Sequence, residues 1–471
     1  MKIKYLEDQI APELLSKNNL NINLESQSKD DYVSIQEIQR IGTALQKCSH
    51  LKKLKLNLDF NKIGKKGALH LGQGLSSCIN LKILILGLRC NQIGAQGILN
   101  LGLTQSVCQN LNKLILDLID NNLRDQGLQN LCCVLESCSN LEFLQLQLGV
   151  NKISNQGIIK FASSLTKYTK LNQLVLYFPD NQSNIGNEEM LHLCSSIKQL
   201  KEIQSLTLTF PSGRGCFSDI GDALSSCIQL SVLKIILAKK RSKNAVSKDV
   251  YDFLSQLQKS NSISKLYLDL SGNKLDRMLD LDLYSLFGGF KKLTSLALLL
   301  RHNNLGEEDI SKIVSSLQNC TNLVTLKIEL AGNYYIDEES IANLFLNLQK
   351  KAKLKALIVD LGFLLFIKLQ LNITRNKINN QTINIIKNKI PFYQLFNKKQ
   401  QCVHLKIIKI SFFQGNNFTL NIICSPELQR SLDFSSVILA VRSYNLEQAQ
   451  QITKIEETYE NIIFQRILFS S

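Results

Sequence analysis

Residues 51–80 read LKKLKLNLDFNKIGKKGALHLGQGLSSCIN, and residues 81–110 read LKILILGLRCNQIGAQGILNLGLTQSVCQN. The second stretch repeats the first in frame. Leu51, Leu81, Leu111, Leu141 and Leu171 open five blocks spaced thirty apart. Less regular blocks open near Ile203, Leu230, Ile263, Leu293, Leu323 and Leu354, then near Phe366 and Leu405; LNINL at 20–24 marks an earlier one. A fixed period of this size signals an array of supersecondary units, each too small to bury its apolar face except against its neighbours.

Each block has two halves. Leu54, Leu56 and Leu58 alternate with Lys55, Asn57 and Asp59, the period-2 pattern of a half-buried strand. Downstream, Ala68, Leu71 and Leu75 recur at helical spacing. Gly67, Gly97, Gly127 and Gly157 stand where the chain is expected to turn into the helix. Short strand–helix units stack their strands in parallel and place the helices on one outer face.

An asparagine recurs ten residues past the block start: Asn61, Asn91, Asn121, Asn151, Asn181, Asn273, Asn303, Asn333 and Asn376. Where the strand bends away, backbone groups lose their ladder partners and need others. A buried amide side chain offers two donors and an acceptor, enough to serve its own coil and a neighbouring one. These nine form an expected structural ladder.

The pattern L-x-x-L-x-L-x-L-x-x-N-x-I-G-x-x-G followed by L-x-x-x-L-x-x-C resembles the leucine-rich repeat family, in its ribonuclease-inhibitor-like subclass. The resemblance covers residues 17–425. It implies an α/β leucine-rich-repeat solenoid, a horseshoe with a parallel concave sheet and outer helices. The extra Leu-x step before the Asn predicts long strands. The chain is also similar to multi-repeat proteins of ciliated protists, some of which carry a kinase domain; no kinase portion lies in these residues.

Departures from the repeat suggest the organisation. Residues 1–16 precede the array, which runs over 17–353 and is irregular at 203–262; degenerate basic repeats follow over 354–430, and a helical cap or tail over 431–471. The Ile203 and Leu230 blocks lose the Asn, and the latter puts Lys239, Lys240, Arg241 and Lys243 at its strand exit. Two strand-like openings twelve residues apart, LKALIVDLG and FIKLQLNITRNKI, predict a frayed or displaced sheet after Leu354.

Charge is concentrated rather than spread. The 471 residues carry a net charge of +16, and the window 350–410 holds thirteen Lys or Arg against one acid, Asp360. Apolar residues make up 44% of the chain, which excludes a disordered polymer. Glu7, Asp8 and Glu13 interrupt any secretory-type apolar core. The most apolar run, 356–367, is far shorter than the roughly 20 residues of a membrane span. A cytoplasmic, reducing location is expected. Six of the thirteen cysteines, Cys48, Cys78, Cys108, Cys138, Cys227 and Cys320, sit three residues before a block start. Such periodic placement reads as a small buried position rather than a disulfide framework.

No catalytic, metal or cofactor constellation emerges. The five histidines fall in different blocks, Gly72 and Gly74 form a G-x-G on a helix, and Asp433–Phe434–Ser435 stands without kinase companions. The face expected to be concave carries Lys55, Ile85, Ile115, Gln145, Val175, Thr207, Lys234, Tyr267, Ala297 and Lys327 four residues past each block start. Six past stand Asn57, Gly87, Asp117, Gln147, Tyr177, Thr209, Ile236, Asp269, Leu299 and Glu329. Charges of both signs alternate with apolar residues, unlike a nucleic-acid groove. The expectation is a non-enzymatic scaffold for protein partners, with Tyr177, Tyr267 and Arg301, and the basic group Lys239, Lys240, Arg241 and Lys243, as candidate contacts. Two alternatives are regulation of a small GTPase, as the resemblance to the Ran activator implies, and binding of acidic surfaces, RNA or membrane headgroups through 350–410.

Overall fold

The structure, a computed structural model, describes residues 18–360 apart from 29–30, 104, 179–186, 211–216, 238–246, 274, 276–282, 334, 349–350 and 352, and also 407–411, 413–414 and 418–419. Two compact units divide the chain, Met1–Ala238 and Lys239–Ser471.

The first unit holds eight strands: β1 (Asn19–Asn23), β2 (Lys53–Asn57), β3 (Ile83–Gly87), β4 (Lys113–Asp117), β5 (Phe143–Gln147), β6 (Gln173–Tyr177), β7 (Ser205–Phe210) and β8 (Val232–Leu237). Each pairs in parallel with the next. The thirty-residue period sets the register, so Leu54, Leu84, Leu114, Leu144 and Leu174 stand side by side, all at 0% exposure. Burying one such leucine stabilises by about 2 kcal/mol. Between the strands run α1 (Ile35–Leu45), α2 (Gly64–Leu75), α3 (Gly94–Asn100), α4 (Gln105–Cys108), α5 (Arg124–Glu136), α6 (Asn155–Leu165), α7 (Asn187–Ile197) and α8 (Phe217–Ser225). Their apolar stripes, such as Ile38, Ile41 and Leu45 on α1 and Leu71 and Leu75 on α2, are buried with the strand leucines.

The second unit follows the same plan. It contains α9 (Ser247–Leu257), β9 (Lys265–Asp269), a 3-10 helix (Leu283–Gly289), β10 (Ser295–Leu299), α10 (Glu307–Asn319), β11 (Thr325–Glu329), α11 (Glu338–Leu348), β12 (Ala356–Asp360) and β13 (Ile407–Ser411). Strands β9 to β13 pair in parallel in order. A short antiparallel pair, β14 (Phe413–Gln414) and β15 (Phe418–Thr419), closes the described residues. Both units are thus α/β arrays of repeated strand–helix coils on a parallel sheet. No helix among the described residues is long and apolar enough to cross a membrane. The neighbour of β12 comes from the Leu405 block; the FIKLQLNITRNKI stretch lies outside the described residues.

The strands are short, contrary to the expectation drawn from the extra leucine. They hold five residues, or six in β7 and β8. Leu58 is fully buried but lies beyond β2, because the chain twists at Phe60 and Lys62, whose φ angles are +64° and +53°. Backbone bonding nonetheless continues past the strand, with Leu58 N–H donating to Gly87 O at 2.8 Å and Phe60 N–H to Arg89 O at 2.7 Å. Left-handed residues cost about 1–2 kcal/mol each, so such a turn needs compensation.

Asparagine side chains satisfy this turn. The Asn121 amide nitrogen donates to Leu88 O (2.8 Å) and Ile119 O (3.1 Å), and its oxygen accepts from the N–H groups of Asn91 and Ile93 (both 3.2 Å). Asn61, Asn91 and Asn151 extend the series in the first unit. In the second, Asn303 and Asn333 donate to Leu270 O and Leu300 O, while accepting from the N–H groups of Asn273 and Asn303. Asn181 and Asn376 lie outside the described residues.

Glycines act differently from their expected role. Gly67, Gly97, Gly127 and Gly157 lie inside α2, α3, α5 and α6 rather than ahead of them. A Cβ on Gly97 would sit 2.2 Å from Ile93 Cγ2, and one on Gly157 2.4 Å from Asp125 Oδ1, so these positions serve close packing. The turning residues are Gly64 and Gly94, with φ of +59° and +66°. Gly72 and Gly74 are packing positions too: a Cβ would fall 1.9 Å from Asn100 O and 2.4 Å from Gly42 O respectively.

The cysteine column is buried as its period suggests, and burial pushes the Cys78 thiol up to about 12. One pair departs from the expectation of isolated thiols. Cys108 and Cys138, one repeat apart, bring their sulfurs into contact, with Cα atoms 4.4 Å apart. The period stacks equivalent positions of adjacent coils on one another, which brings these two sulfurs together.

Candidate functional site

In the first unit the side chains opposite the leucines point to a half-exposed sheet face. The strand register arranges them in rows. The first row runs Lys53, Ile83, Lys113, Phe143, Gln173; the second Lys55, Ile85, Ile115, Gln145, Val175; the third Asn57, Gly87, Asp117, Gln147, Tyr177. Two residues further on, past the strand ends, stand Glu25, Asp59, Arg89 and Ile119.

The two sides of this face carry opposite charge. Lys53, Lys55 and Lys113 lie toward the strand starts, and the Lys113 ammonium sits 4.0 Å from the centre of the Phe143 ring. Burial, then the like charge of Lys53, lowers the Lys113 pKa. Toward the strand ends, Asp59 and Asp117 lie near Arg89, whose guanidinium carbon lies 5.5 Å from the centre of the Phe60 ring, and Glu25 lies near Asp59. The Asp59 Oδ1 accepts the Arg89 backbone N–H at 2.8 Å, and Asn57 Nδ2 reaches Glu25 Oε2 at 3.4 Å. Gly87 carries no side chain in the third row, and its neighbours take the space: a Cβ there would lie 2.5 Å from Asn57 Oδ1 and 3.0 Å from Asp59 Oδ1.

Burial pushes the Asp59 carboxyl up to about 6, with Asp117 and Glu25 adding to the rise and the Arg89 N–H and guanidinium opposing it. Asp117 is raised as well, chiefly by burial. For Asp59 the folded chain holds the proton more tightly than the unfolded chain. Stability therefore falls as pH rises from about 4 through about 6, and the deficit persists above that. Asp59→Asn retains the oxygen that accepts from Arg89 and removes the charge. The expected gain is about 1 kcal/mol at pH 7.5, allowing for solvent screening of a half-exposed group, and close to nothing at pH 4. Urea unfolding at the two pH values checks it; an equal effect at both contradicts the assignment.

In the second unit the corresponding face is largely buried. Ala297 and Leu299 are 1% and 8% exposed, and Glu329 and Asp360 both 5%. Tyr267, in the middle of β9, has its hydroxyl pKa raised by burial and then by Asp269 and Glu329. Arg301, just past β10, lies with Nε 2.7 Å from Glu329 Oε2 and Nη2 2.7 Å from Asp360 Oδ2. Lys327 joins from the other side, 2.9 Å from Glu329 Oε1.

Of the residues singled out from sequence, Tyr177 thus stands on the open face of the first unit, whereas Tyr267 and Arg301 belong to the second. Lys239, Lys240, Arg241 and Lys243 lie outside the described residues, as does most of the 350–410 window. Sequence reading placed Asp59 in the strand alternation but missed the row of Glu25, Asp59 and Arg89, because it took only the positions four and six past each block start for the concave face. Among the described residues, no group of three or more His, Cys, Asp or Glu could hold a metal ion.

No family model matches the chain, and no curated protein matches it. Solved structures similar to it include that of the Rad7 and Elc1 complex in yeast, at 15% identity and a TM-score of 0.40, covering 85% of this chain and 90% of that one. Another is the leucine-rich repeat-containing protein LegL7 from Legionella pneumophila, at 16% identity and a TM-score of 0.42, covering 71% of this chain and 98% of the other.

Proposed function

We propose that the chain is a non-catalytic scaffold that binds protein partners on the open sheet face of its first unit. The observation that carries this reading is the set Ile83, Ile85, Ile115, Phe143, Val175 and Tyr177, half-exposed and held in fixed parallel register. Aliphatic and aromatic side chains presented on a rigid sheet gain free energy when a partner removes them from water. The alternation of strands with full helices supports the ribonuclease-inhibitor-like subclass. Tyr177, at the strand end beside Gln147, is the aromatic anchor expected to matter most.

The test is affinity capture with the wild type and an Ile85→Lys, Val175→Lys variant of unchanged melting temperature. Both substitutions lie on the water-facing side of the sheet, so the fold is expected to persist. Partners of this face should be lost at least tenfold from the variant. Identical captured sets would overturn the assignment to this face.

A further inference from the structure

Resting on that reading, we infer that the face of β2 to β5 docks an acidic polypeptide segment of a partner. Its Asp or Glu carboxylates sit over Ile83 between Lys53 and Lys113, while its apolar side chains cover Ile85, Ile115 and Phe143.

Three features converge on this partner. The first is charge that the chain leaves unanswered at the strand starts. Lys53 and Lys55 are exposed and Lys113 is half-exposed, and among the described residues none of the three is ion-paired to a carboxylate. Lys52 and Lys82 add two exposed cations where β2 and β3 begin. Glu142 precedes β5 at the same edge, yet the charge that shifts Lys113 is the like one of Lys53. A carboxylate placed there would meet attraction from several ammonium groups.

The second feature is placement. Lys53 and Lys113 stand in one row, two strands and about 9.6 Å apart, with the uncharged Ile83 between them. The Phe143 ring, 4.0 Å from the Lys113 ammonium, holds that side chain on the face. Burial and Lys53 both lower the Lys113 pKa, so the uncovered face holds this charge at a cost that a bound carboxylate relieves.

The third is what lies further along the strands. Asp117 follows Lys113 by four residues, about 13 Å, with Asp59 beyond the end of β2. A uniformly anionic chain such as a nucleic acid would meet these carboxylates, and Ile85, Ile115 and Val175 give its phosphates nothing to bind. A polypeptide can set acidic side chains over the lysines and apolar ones over the isoleucines.

Strands β2 to β5 span about 14 Å, the length of about four extended or ten helical residues. The probes are three synthetic 16-residue peptides sharing one aliphatic pattern and bearing Glu, Gln or Arg at the same positions. The whole chain carries +16, so bulk attraction alone favours an acidic peptide, and the control must remove equal charge elsewhere. Lys65→Gln with Lys66→Gln does so at two exposed positions of α2. The expected result, by calorimetry or fluorescence anisotropy on the full chain, is binding of the Glu peptide at least tenfold tighter than either other. Lys53→Gln with Lys113→Gln should remove that preference, and the α2 pair should leave it in place. Lys53→Glu with Lys113→Glu should turn the preference to the Arg peptide. Equal binding of all three, no binding up to about 1 mM, or equal losses from the two glutamine pairs would refute the inference. So would a single-stranded oligonucleotide that binds as tightly and is lost with Lys53 and Lys113. Loss of captured partners from the Ile85→Lys, Val175→Lys variant, with no preference for Glu, would leave the scaffold standing and remove only this assignment.

Discussion

Replacing Asn121 by Leu is expected to destabilise the first unit by about 4 kcal/mol, a fall of about 10 °C in melting temperature. The substitution preserves volume and adds apolar surface, so burial alone argues for little change. Hydrogen bonding decides the outcome. Leucine leaves three buried backbone groups without a partner, the Leu88 carbonyl and the Asn91 and Ile93 N–H groups, while Ile119 O keeps the Cys90 N–H at 2.9 Å. Each such group costs about 1–3 kcal/mol, and relaxation or a trapped water recovers part of the sum. Because the oxygen serves the preceding coil, damage spreads across a repeat boundary. Asn140→Leu is the control, since its amide nitrogen reaches Gln109 O on the exposed surface and its loss should cost less than about 0.5 kcal/mol. A shift below 1 kcal/mol for Asn121→Leu in urea unfolding would show that the column is not a ladder.

The strand and helix positions were legible because burial imposes periods on the sequence. Leu54, Leu56 and Leu84 alternate, Leu71 and Leu75 recur at helical spacing, and the thirty-residue frame then fixes the register. What alternation could not reveal was the exit from each strand. Leu58 continues the pattern yet lies in the turn, since backbone twist at Phe60 is set by φ and leaves no periodic trace. Gly67 was misread for a related reason. A glycine needed for close packing and one needed for a left-handed turn look alike in sequence, and only the distance to Ile63 separates them.

The candidate site was legible in part. Rows of the strand residues followed from the alternation, which correctly placed Tyr177 beside Gln147 on one face. Glu25, Asp59 and Arg89 were missed as a group because they sit beyond the strands, and Asp59 and Arg89 stand eight past their block starts, one step beyond the positions taken for the concave face. A usable signal existed: Asp59, Arg89 and Ile119 keep the thirty-residue spacing, and Gly87 is the one residue of its row without a side chain. Arg301 is harder. Its partners Glu329 and Asp360 lie one and two repeats onward, and only stacking at fixed register makes such separations short.

That cluster yields the second large effect. Arg301→Ala is expected to destabilise the second unit by about 3 kcal/mol, much more than loss of a surface pair. The contrast with Lys167 and Glu136 makes the reason plain. Those side chains are 56% and 42% exposed, and such a pair contributes less than about 1 kcal/mol. Around Arg301 the acids are the buried partners, with side chains 7% and 8% exposed for Glu329 and Asp360. Removing the guanidinium strips both carboxylates of their shared cation, and water cannot replace it fully. Lys327 remains near Glu329, so Asp360 bears most of the loss. Adding Asp360→Asn to Arg301→Ala should therefore restore about half of the deficit, because a neutral amide is cheaper to bury than a carboxylate that has lost its guanidinium. Arg301→Lys should recover less, since one ammonium cannot take both places where guanidinium nitrogens lie 2.7 Å from Glu329 and from Asp360. Thermal unfolding of the wild type and these three variants forms the test. If Asp360→Asn failed to rescue Arg301→Ala, the ion pairs would not be what holds Arg301 in place, and its guanidinium, 42% exposed, would again be a candidate contact for a partner.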